Sequence, residues 1–532
     1  MALPELRSAL RAACRREEGA CVADLLAEYD GQDFDRAAAQ GLATTLVAGE
    51  RAHFAGAAGF DHLLHEFALS SHEGVALMCL AEALLRIPDT ATVDRLIRDK
   101  IGHGDWQAHL AGDHPLFVNA ATWGLILTGR LVAIRDQGEL GNALSRLLAR
   151  GGEPLVRKGI DLAMRLLGEH FVMGQTIAEA LARSQTNAAR GYRHSFDMLG
   201  EAALTAVDAE RYCRGYETAI HAIGAASAGL GVVAGAGISI KLSALHPRYV
   251  RSQRERLLAE LGPRLLVLMR LAKAYDIGVN IDAEEADRLD ISLDLFERLA
   301  GVPELAGWDG LGFVVQAYQK RAPALIDWLV ELARQQRRRI MVRLVKGAYW
   351  DSEIKRAQVD GLPDYPVYTC KAHTDLAYLV CAGRLLAAPD AVYPQFATHN
   401  AQTLASVFHL AAARGVAGYE FQCLHGMGEA LYAQVVGAER LGKPCRIYAP
   451  VGTHRTLLPY LVRRLLENGA NSSFVNRIVD AGVAVETLVE DPAARRRREG
   501  AARHPMIPLP SGQYGSQRRN SAGRDLADEA TL

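Results

Sequence analysis

The strongest constraint on this chain is a rhythm that begins near Phe196. Eight short apolar runs alternate with amphipathic stretches of helical period: Phe196–Glu201, Ile238–Ser243, Gly278–Glu284, Gly312–Tyr318, Ile340–Lys346, Pro394–Asn400, Tyr419–Leu424 and Cys445–Pro450. Near-continuous apolar runs suit strands buried on both faces, and strands separated by helices run parallel. Eight such units are the number that closes a (β/α)8 barrel. The fold class read here is α/β, a TIM-like barrel over residues 191–480. A helical arm (1–30) and an all-α region (31–190) precede it, and a tail (481–532) follows.

Polar residues fall at one end of the runs. Lys241, Asp282, Gln316, Arg343, Lys346, His399, Asn400, Gln422 and Tyr448 lie in or just after the later part of each. Barrel active sites sit at the C-terminal ends of strands. One polar residue inside a strand is often a satisfied core group; convergence from most strands points to a site. After the eighth run, Thr453–Gly469 reads as one helix, capped by Thr453, ended by Gly469 and loosened near Pro459. Tyr460, Arg463, Arg464 and Glu467 share one face of it, while Leu458, Leu461, Leu465 and Leu466 face a core. Two adjacent guanidiniums on a greasy helix suit a carboxylate, because each presents a planar fork of donors.

The chain has 532 residues, 49% hydrophobic and 23% charged, with formal net charge −1. That balance describes a soluble globular protein and argues against nucleic-acid binding through global positive charge. Eight scattered cysteines without a C-x-x-C pair read as free thiols in a reducing compartment. No apolar core marks a signal peptide in the first residues. Ala219–Ile240 is long and nearly uncharged, but its Gly/Ala content reads as a buried helix and loop, not a membrane span. In the all-α region, Ser70–Glu73 has capping-box spacing before Leu77, Leu80, Ala81 and Leu84, with Pro88 as the stop. Ala121–Ile134 and Gly159–Leu181 read as further buried helices. No chemistry is visible in that region.

Three constellations bear on chemistry. Gly229–Ala234 matches a dinucleotide fingerprint on paper, but its glycines precede a strand instead of following one, so a Rossmann site is rejected. Arg343–Trp350 brings two cations, a glycine and two aromatics to the barrel mouth, which suits a flat, electron-accepting, phosphorylated cofactor. His246, Asp282, His399 and His425 raise the alternative of a zinc hydrolase, yet no strand carries a His-x-His pair and Arg343 and Lys346 would crowd a metal with positive charge. A binding or regulatory protein built on the all-α half is the other alternative. Metal ligands are expected to be none.

Ile238–Tyr249 (ISIKLSALHPRY), Asn280–Arg288 (NIDAEEADR), Met341–Asp351 (MVRLVKGAYWD), Phe396–Asn400 (FATHN), Phe421–Gly428 (FQCLHGMG) and Arg446–Ile478 resemble proline dehydrogenase. The likeness is to the proline dehydrogenase half of the bacterial bifunctional flavoenzyme proline utilization A, and Ser70–Asp89 is similar to its helical domain. The resemblance implies an FAD-bearing barrel that oxidises L-proline to 1-pyrroline-5-carboxylate by hydride transfer from C5. It implies Arg343, Asp282 and Lys241 as catalytic residues. Lys241, Asp282, Tyr349, Leu424, Tyr448, Tyr460, Arg463 and Arg464 would bind proline. Asp282, Ala283, Gln316, Arg343, Val345, Lys346, Gly347, Ala348, Trp350, His399, Asn400, Gln422, Cys423, Arg464, Glu467, Ser473 and Phe474 would hold FAD, with Thr369, Lys371 and Thr374 further along it. Electrons would pass to a membrane quinone from a cytoplasmic protein in peripheral contact with the membrane.

Two departures shape the remaining expectations. Some family members open with a ribbon-helix-helix DNA-binding domain; no counterpart precedes Val22, so no nucleic-acid partner is expected. Bifunctional members continue into an aldehyde dehydrogenase half. Pro505–Leu532 resembles the connecting segment, so the chain reads as truncated before that half. Arg495–Arg498 reads as a solvated helix end and His504–Pro510 as an extended linker.

Overall fold

The computed structural model describes residues 2–56, 92, 171–227, 229–453, 460, 463–464, 474–480, 482–529 and 531. Eight parallel strands close a barrel in sequence order: β1 (Arg193–Met198), β2 (Gly237–Ile240), β3 (Val279–Ile281), β4 (Leu311–Gln316), β5 (Ile340–Val345), β6 (Val392–Ala397), β7 (Glu420–Leu424) and β8 (Cys445–Val451). β1 pairs with β8 with Phe196 beside Ala449, which completes the ring. The expected fold class stands. β1 starts three residues earlier than its run and ends before Glu201, and β6 starts two residues earlier. Both runs also extend three residues past the point where the backbone leaves the ladder.

Alternation along each strand separates the barrel interior from the helix layer. Phe196, Phe313 and Phe421 are buried, with Phe313 against Phe296 of the helix Leu289–Ala300. The residues facing inward are largely polar and stack in layers. At the N-terminal end, Asn280 donates to Gln395 at 2.8 Å, Gln395 to Glu420 at 2.8 Å, and Glu420 receives Arg446 at 2.6 Å and Arg193 at 2.9 Å. Arg446 also donates to the carbonyls of His194, Gly235 and Val233. Above this plug sit Ser195 and Ser239, hydroxyls 3.3 Å apart. Their small size leaves room for a larger side chain from β5.

Three N-terminal helices clasp the outside: α1 (Leu3–Ala12), α2 (Glu18–Asp30) and α3 (Arg36–Gly56). α1 buries Leu3, Leu6 and Leu10, and its Arg7 lies 5.3 Å from the Trp328 ring while pairing with Asp294 at 2.7 Å. α2 begins with Glu18, fully buried. Its carboxylate accepts from the Thr369 amide and hydroxyl at 2.9 Å each and from His373 Nδ1 at 2.6 Å. The readings over Ser70–Pro88 and Ala121–Ile134 lie outside the described residues. The helix expected to run through Leu181 does not do so: Met173 donates to the carbonyl of Pro450, Gly174 bridges to Val451, and a new helix, Ile177–Ala189, starts at the Thr176 cap.

The tail is not a free linker. In the helix Pro492–Glu499, Arg496 is buried and meets His373 Nε2 at 3.2 Å, so the basic run is not wholly solvated. Arg496 shares the buried face with Pro492 and Ala493, at helical spacing. Further on, the His504 amide donates to the Thr369 hydroxyl, Tyr365 donates to the Pro508 carbonyl at 2.6 Å, and Asp525 and Glu529 pair with Arg15 and Arg251. Residues 500–529 thus belt the barrel and return to α1. Among the described residues no helix is long and apolar enough to cross a membrane. The Ala219–Ile240 stretch divides into the end of a helix, Ala206–Ala226, a short turn of helix and β2.

Candidate active site

The C-terminal end of the barrel interior carries a second polar layer. Arg343, from the middle of β5, lies across the two serines. It donates to Ser239 Oγ, Ser195 Oγ and Asp282 Oδ1, each at 3.0 Å. Lys241 follows β2 and is nearly buried. Its ammonium is 2.6 Å from Asp197 Oδ1, 3.3 Å from Asp282 Oδ2 and 3.3 Å from the Tyr448 hydroxyl. Tyr448, from β8, donates to Asp282 Oδ2 at 2.7 Å, and its ring centroid is 5.1 Å from the Arg343 guanidinium. The expected catalytic trio Lys241, Asp282 and Arg343 is therefore one contact group with Tyr448.

Electrostatics follow from this packing. Burial works against the Lys241 ammonium, but Asp197, Tyr448 and Asp282 outweigh it and hold its pKa well above the usual lysine value. Burial also pushes the Tyr448 phenol well above its usual range, with the two aspartates adding to it. Tyr448 therefore stays a donor at neutral pH. Two buried polar atoms of this layer, Asp197 Oδ2 and Arg343 Nε, lack a hydrogen-bond partner.

The strand ends above this layer open. Asp282, Ala283, Val345, Lys346, Tyr349, Trp350, His399, Asn400, Leu424 and Tyr448 are half-buried, and Gly347 and Ala348 are exposed. Gly347 has φ +142°, and a Cβ there would meet the Tyr318 ring at 2.4 Å, so only glycine lets the backbone pass. Lys346 and Lys371 both reach Asp375, at 2.5 and 2.8 Å, and despite its burial they hold its carboxyl far below the usual range. Gln316 donates to the Glu284 carbonyl at 2.9 Å and accepts from the Ala348 amide. Trp350 donates to the Tyr368 carbonyl, His399 accepts the Leu424 amide at 3.1 Å, and Asn400 caps the helix Ala401–Ala413.

At the rim, the Arg463 guanidinium lies 5.1 Å from the Tyr349 ring, and that of Arg464 lies 5.2 Å from the Tyr460 ring. The two arginines are not equivalent. Arg463 makes a two-point pair with Glu201, at 2.7 and 2.9 Å, so its fork already holds a carboxylate. Burial and Arg463 oppose each other on Glu201, and Arg463 wins, leaving its pKa lowered. Arg464 is nearly buried. Glu467, Ser473 and most of the stretch 453–469, expected as a helix, lie outside the described residues; Phe474 is buried at the start of the helix Phe474–Val479.

Several expected cofactor residues have side chains engaged by other groups of the protein. The Cys423 thiol points into the helix layer, 3.7 Å from Cys445 Sγ, because 420, 422 and 424 take the inward positions of β7. Gln422 donates down to Glu420 at 3.2 Å. Thr369 spends its amide and hydroxyl on Glu18, whereas Thr374 is buried one turn into the helix Lys371–Leu386. The zinc constellation does not assemble: His246 pairs with Glu260 at 3.0 Å, on another element from His399. Among the described residues the one group at ligand spacing is Glu18, Cys370 and His373, and both ring nitrogens of that histidine are already engaged. Asp197, Glu201 and Asp375 were missed. Asp197 and Glu201 had a signal, two acids in the apolar run Phe196–Glu201.

A parallel (β/α)8 barrel with cations and aromatics converging on its C-terminal mouth is the frame of an enzyme whose site lies at that mouth. Comparison with known proteins gives the family. The family model "Proline dehydrogenase" matches residues 180–477, more than half of the chain, and the chain belongs to that family. Residues 5–51 match "Proline utilization A proline dehydrogenase N-terminal domain", and residues 59–171 match "DNA-binding domain of Proline dehydrogenase". The Bifunctional protein PutA of Salmonella typhimurium is 63% identical over 480 residues, 88% of this chain and 36% of that protein. The Proline dehydrogenase of Deinococcus radiodurans is 29% identical over 58% of this chain and 88% of its own length. A crystal structure of a Bradyrhizobium japonicum proline utilization A variant superposes with TM-score 0.75 at 47% identity, covering 98% of this chain and 52% of that one. The chain thus spans well under two thirds of the bifunctional relatives. The DNA-binding description over 59–171 gives no support to the expectation of no nucleic-acid partner.

Proposed function

We propose that this protein oxidises L-proline to 1-pyrroline-5-carboxylate with FAD as its cofactor and passes the electrons to a membrane quinone from a peripheral position at the cytoplasmic face. The observation that carries the reading is the joining of Lys241, Asp282, Arg343 and Tyr448 into one group at the barrel mouth, whose rim carries Arg463 and Arg464 against Tyr349 and Tyr460. The mouth fits FAD. Arg343 Nε is a buried donor without a partner, Gly347 keeps the backbone open beyond β5, and Lys346 with Lys371 offers two ammonium groups for a diphosphate. When bound, FAD supplies the hydride acceptor.

The chain's own groups do the rest. Arg464 holds the substrate carboxylate and so fixes which carbon of the ring faces inward, while Glu201 keeps the Arg463 fork in place beside it. Tyr349, Leu424, Tyr448 and Tyr460 wall the ring and exclude water. The ring nitrogen must be neutral as hydride leaves C5, since only a lone pair can form the C=N bond. Arg343 and Lys241 keep positive charge beneath the mouth, which favours an anionic reduced cofactor. Addition of proline to purified protein without oxygen, followed by absorbance near the flavin maximum, tests the reading. Loss of the yellow colour is expected; an unchanged spectrum, or a colourless protein, overturns it.

The match over residues 59–171 favours one further property, contact with DNA. An electrophoretic shift of duplex DNA that is lost on deleting 59–171 is the expected sign, and no shift at low salt removes it.

A further inference from the structure

The deepest group of the upper layer is one that no reading of the site has used. We propose that Asp197 is the positioning residue that fixes Lys241 as a permanent cation on the floor of the mouth, so that Lys241 attracts and orients the substrate and is not the acceptor of the ring-nitrogen proton. The kinetic part of this inference rests on the proline reading above; the labelling part does not.

Asp197 is wholly buried on β1, and its Oδ1 is the nearest oxygen to the Lys241 ammonium, at 2.6 Å. The backbone amide of Lys241 is held by the hydroxyl of Tyr216, 3.1 Å away on the helix Ala206–Ala226, so the residue is anchored at both ends. The charged and titratable groups facing Lys241 come from every neighbouring element: Asp197 from β1, Tyr216 from the helix, Asp282 after β3, Tyr448 from β8, and Glu201 beyond β1. Arg343, the nearest competing cation, is turned onto the other oxygen of Asp282. Asp282 is therefore shared between two cations, and Asp197 belongs to Lys241 alone. Removing the Asp197 charge leaves Lys241 buried with half a carboxylate, and a buried amine in that state gives up its proton.

The test compares wild type with Asp197→Asn. In wild type, kcat/KM for proline shows no alkaline limb up to about pH 10 that belongs to a lysine. In Asp197→Asn a limb is expected between about pH 7 and 9, with KM rising about tenfold above it and kcat changing less. Asp197→Glu, which keeps the charge, restores the flat profile. Independently of proline turnover, reductive methylation at pH 8.5 followed by peptide mass spectrometry is expected to modify Lys241 in Asp197→Asn and to spare it in wild type. If Asp197→Asn does not fold, the wild-type profile still decides: an alkaline limb that vanishes in Lys241→Arg overturns the proposal. So does equal methylation of Lys241 in wild type and in a folded Asp197→Asn. An inert flavin with proline but selective methylation in the variant would sink the proline reading and leave the role of Asp197 standing.

Discussion

The barrel holds two buried charge layers, and they are built to opposite standards. The lower one, Asn280–Gln395–Glu420–Arg446–Arg193, leaves none of its buried polar atoms unpaired, and Arg446 also satisfies three backbone carbonyls. The upper one, Asp197–Lys241–Asp282–Arg343–Tyr448, leaves Asp197 Oδ2 and Arg343 Nε without partners and opens at Asp282 and Tyr448 to the mouth. A closed network fixes one structure; an open network keeps binding capacity in reserve. Glu420 is the centre of the first, Lys241 and Asp282 of the second.

The largest expected effect breaks the lower layer. Glu420→Ala leaves Arg446 and Arg193 buried without their carboxylate and should cost about 3–5 kcal/mol of stability. Denaturant unfolding at pH 7 checks it; a loss under 1 kcal/mol would mean the plug is decorative. Next comes the rim above the upper layer. Arg464→Met should raise KM for proline about a hundredfold, about 2.7 kcal/mol, with kcat within a few-fold. Unchanged proline affinity would remove the clamp. Smaller again, Tyr448→Phe deletes the hydroxyl that joins Asp282 to Lys241 and should lower kcat/KM about tenfold while leaving the unfolding free energy within about 1 kcal/mol. If Tyr448→Phe instead destabilises as much as Glu420→Ala, the two layers are alike and the comparison fails.

The barrel was legible because strand identity is local: each run announces itself in five or six residues, and the polar end of each run marks the mouth. Pairing is not local. Lys241 and Asp197 are 44 residues apart, Arg463 and Glu201 262, and Thr369 and Glu18 351. So the sequence named Arg463 as a carboxylate holder and could not say that Glu201 occupies it. It placed Cys423 beside Gln422 in a motif, while the two-residue period of β7 turns one inward and the other to the helix layer. The tail failed for the same reason. Four arginines in a row look solvated until the helix begins at Pro492, which fixes Arg496 as the one that faces His373. The resemblance supplied the family; the geometry supplied the partners.

The finest discrimination between the layers is by acid. Burial raises the Glu420 carboxyl, but Arg446 and Arg193 outweigh it, and its folded pKa lies below the usual value. A carboxylate with a depressed folded pKa contributes stability above its unfolded pKa, about 4.3, and loses it as pH falls through the folded value. Asp197 has the opposite sign. Burial, the largest influence, raises its carboxyl against the pull of Lys241, so its protonation adds nothing to the loss of stability in acid. Below about pH 4.3 the wild type should therefore lose about 1 kcal/mol per pH unit more than Glu420→Gln does. Asp197→Asn should not flatten the acid slope. Urea unfolding at half-unit steps from pH 3 to 6 measures both. Equal flattening by the two substitutions would show that the upper layer is held together as tightly as the lower, and that its unpaired atoms are no reserve for a ligand.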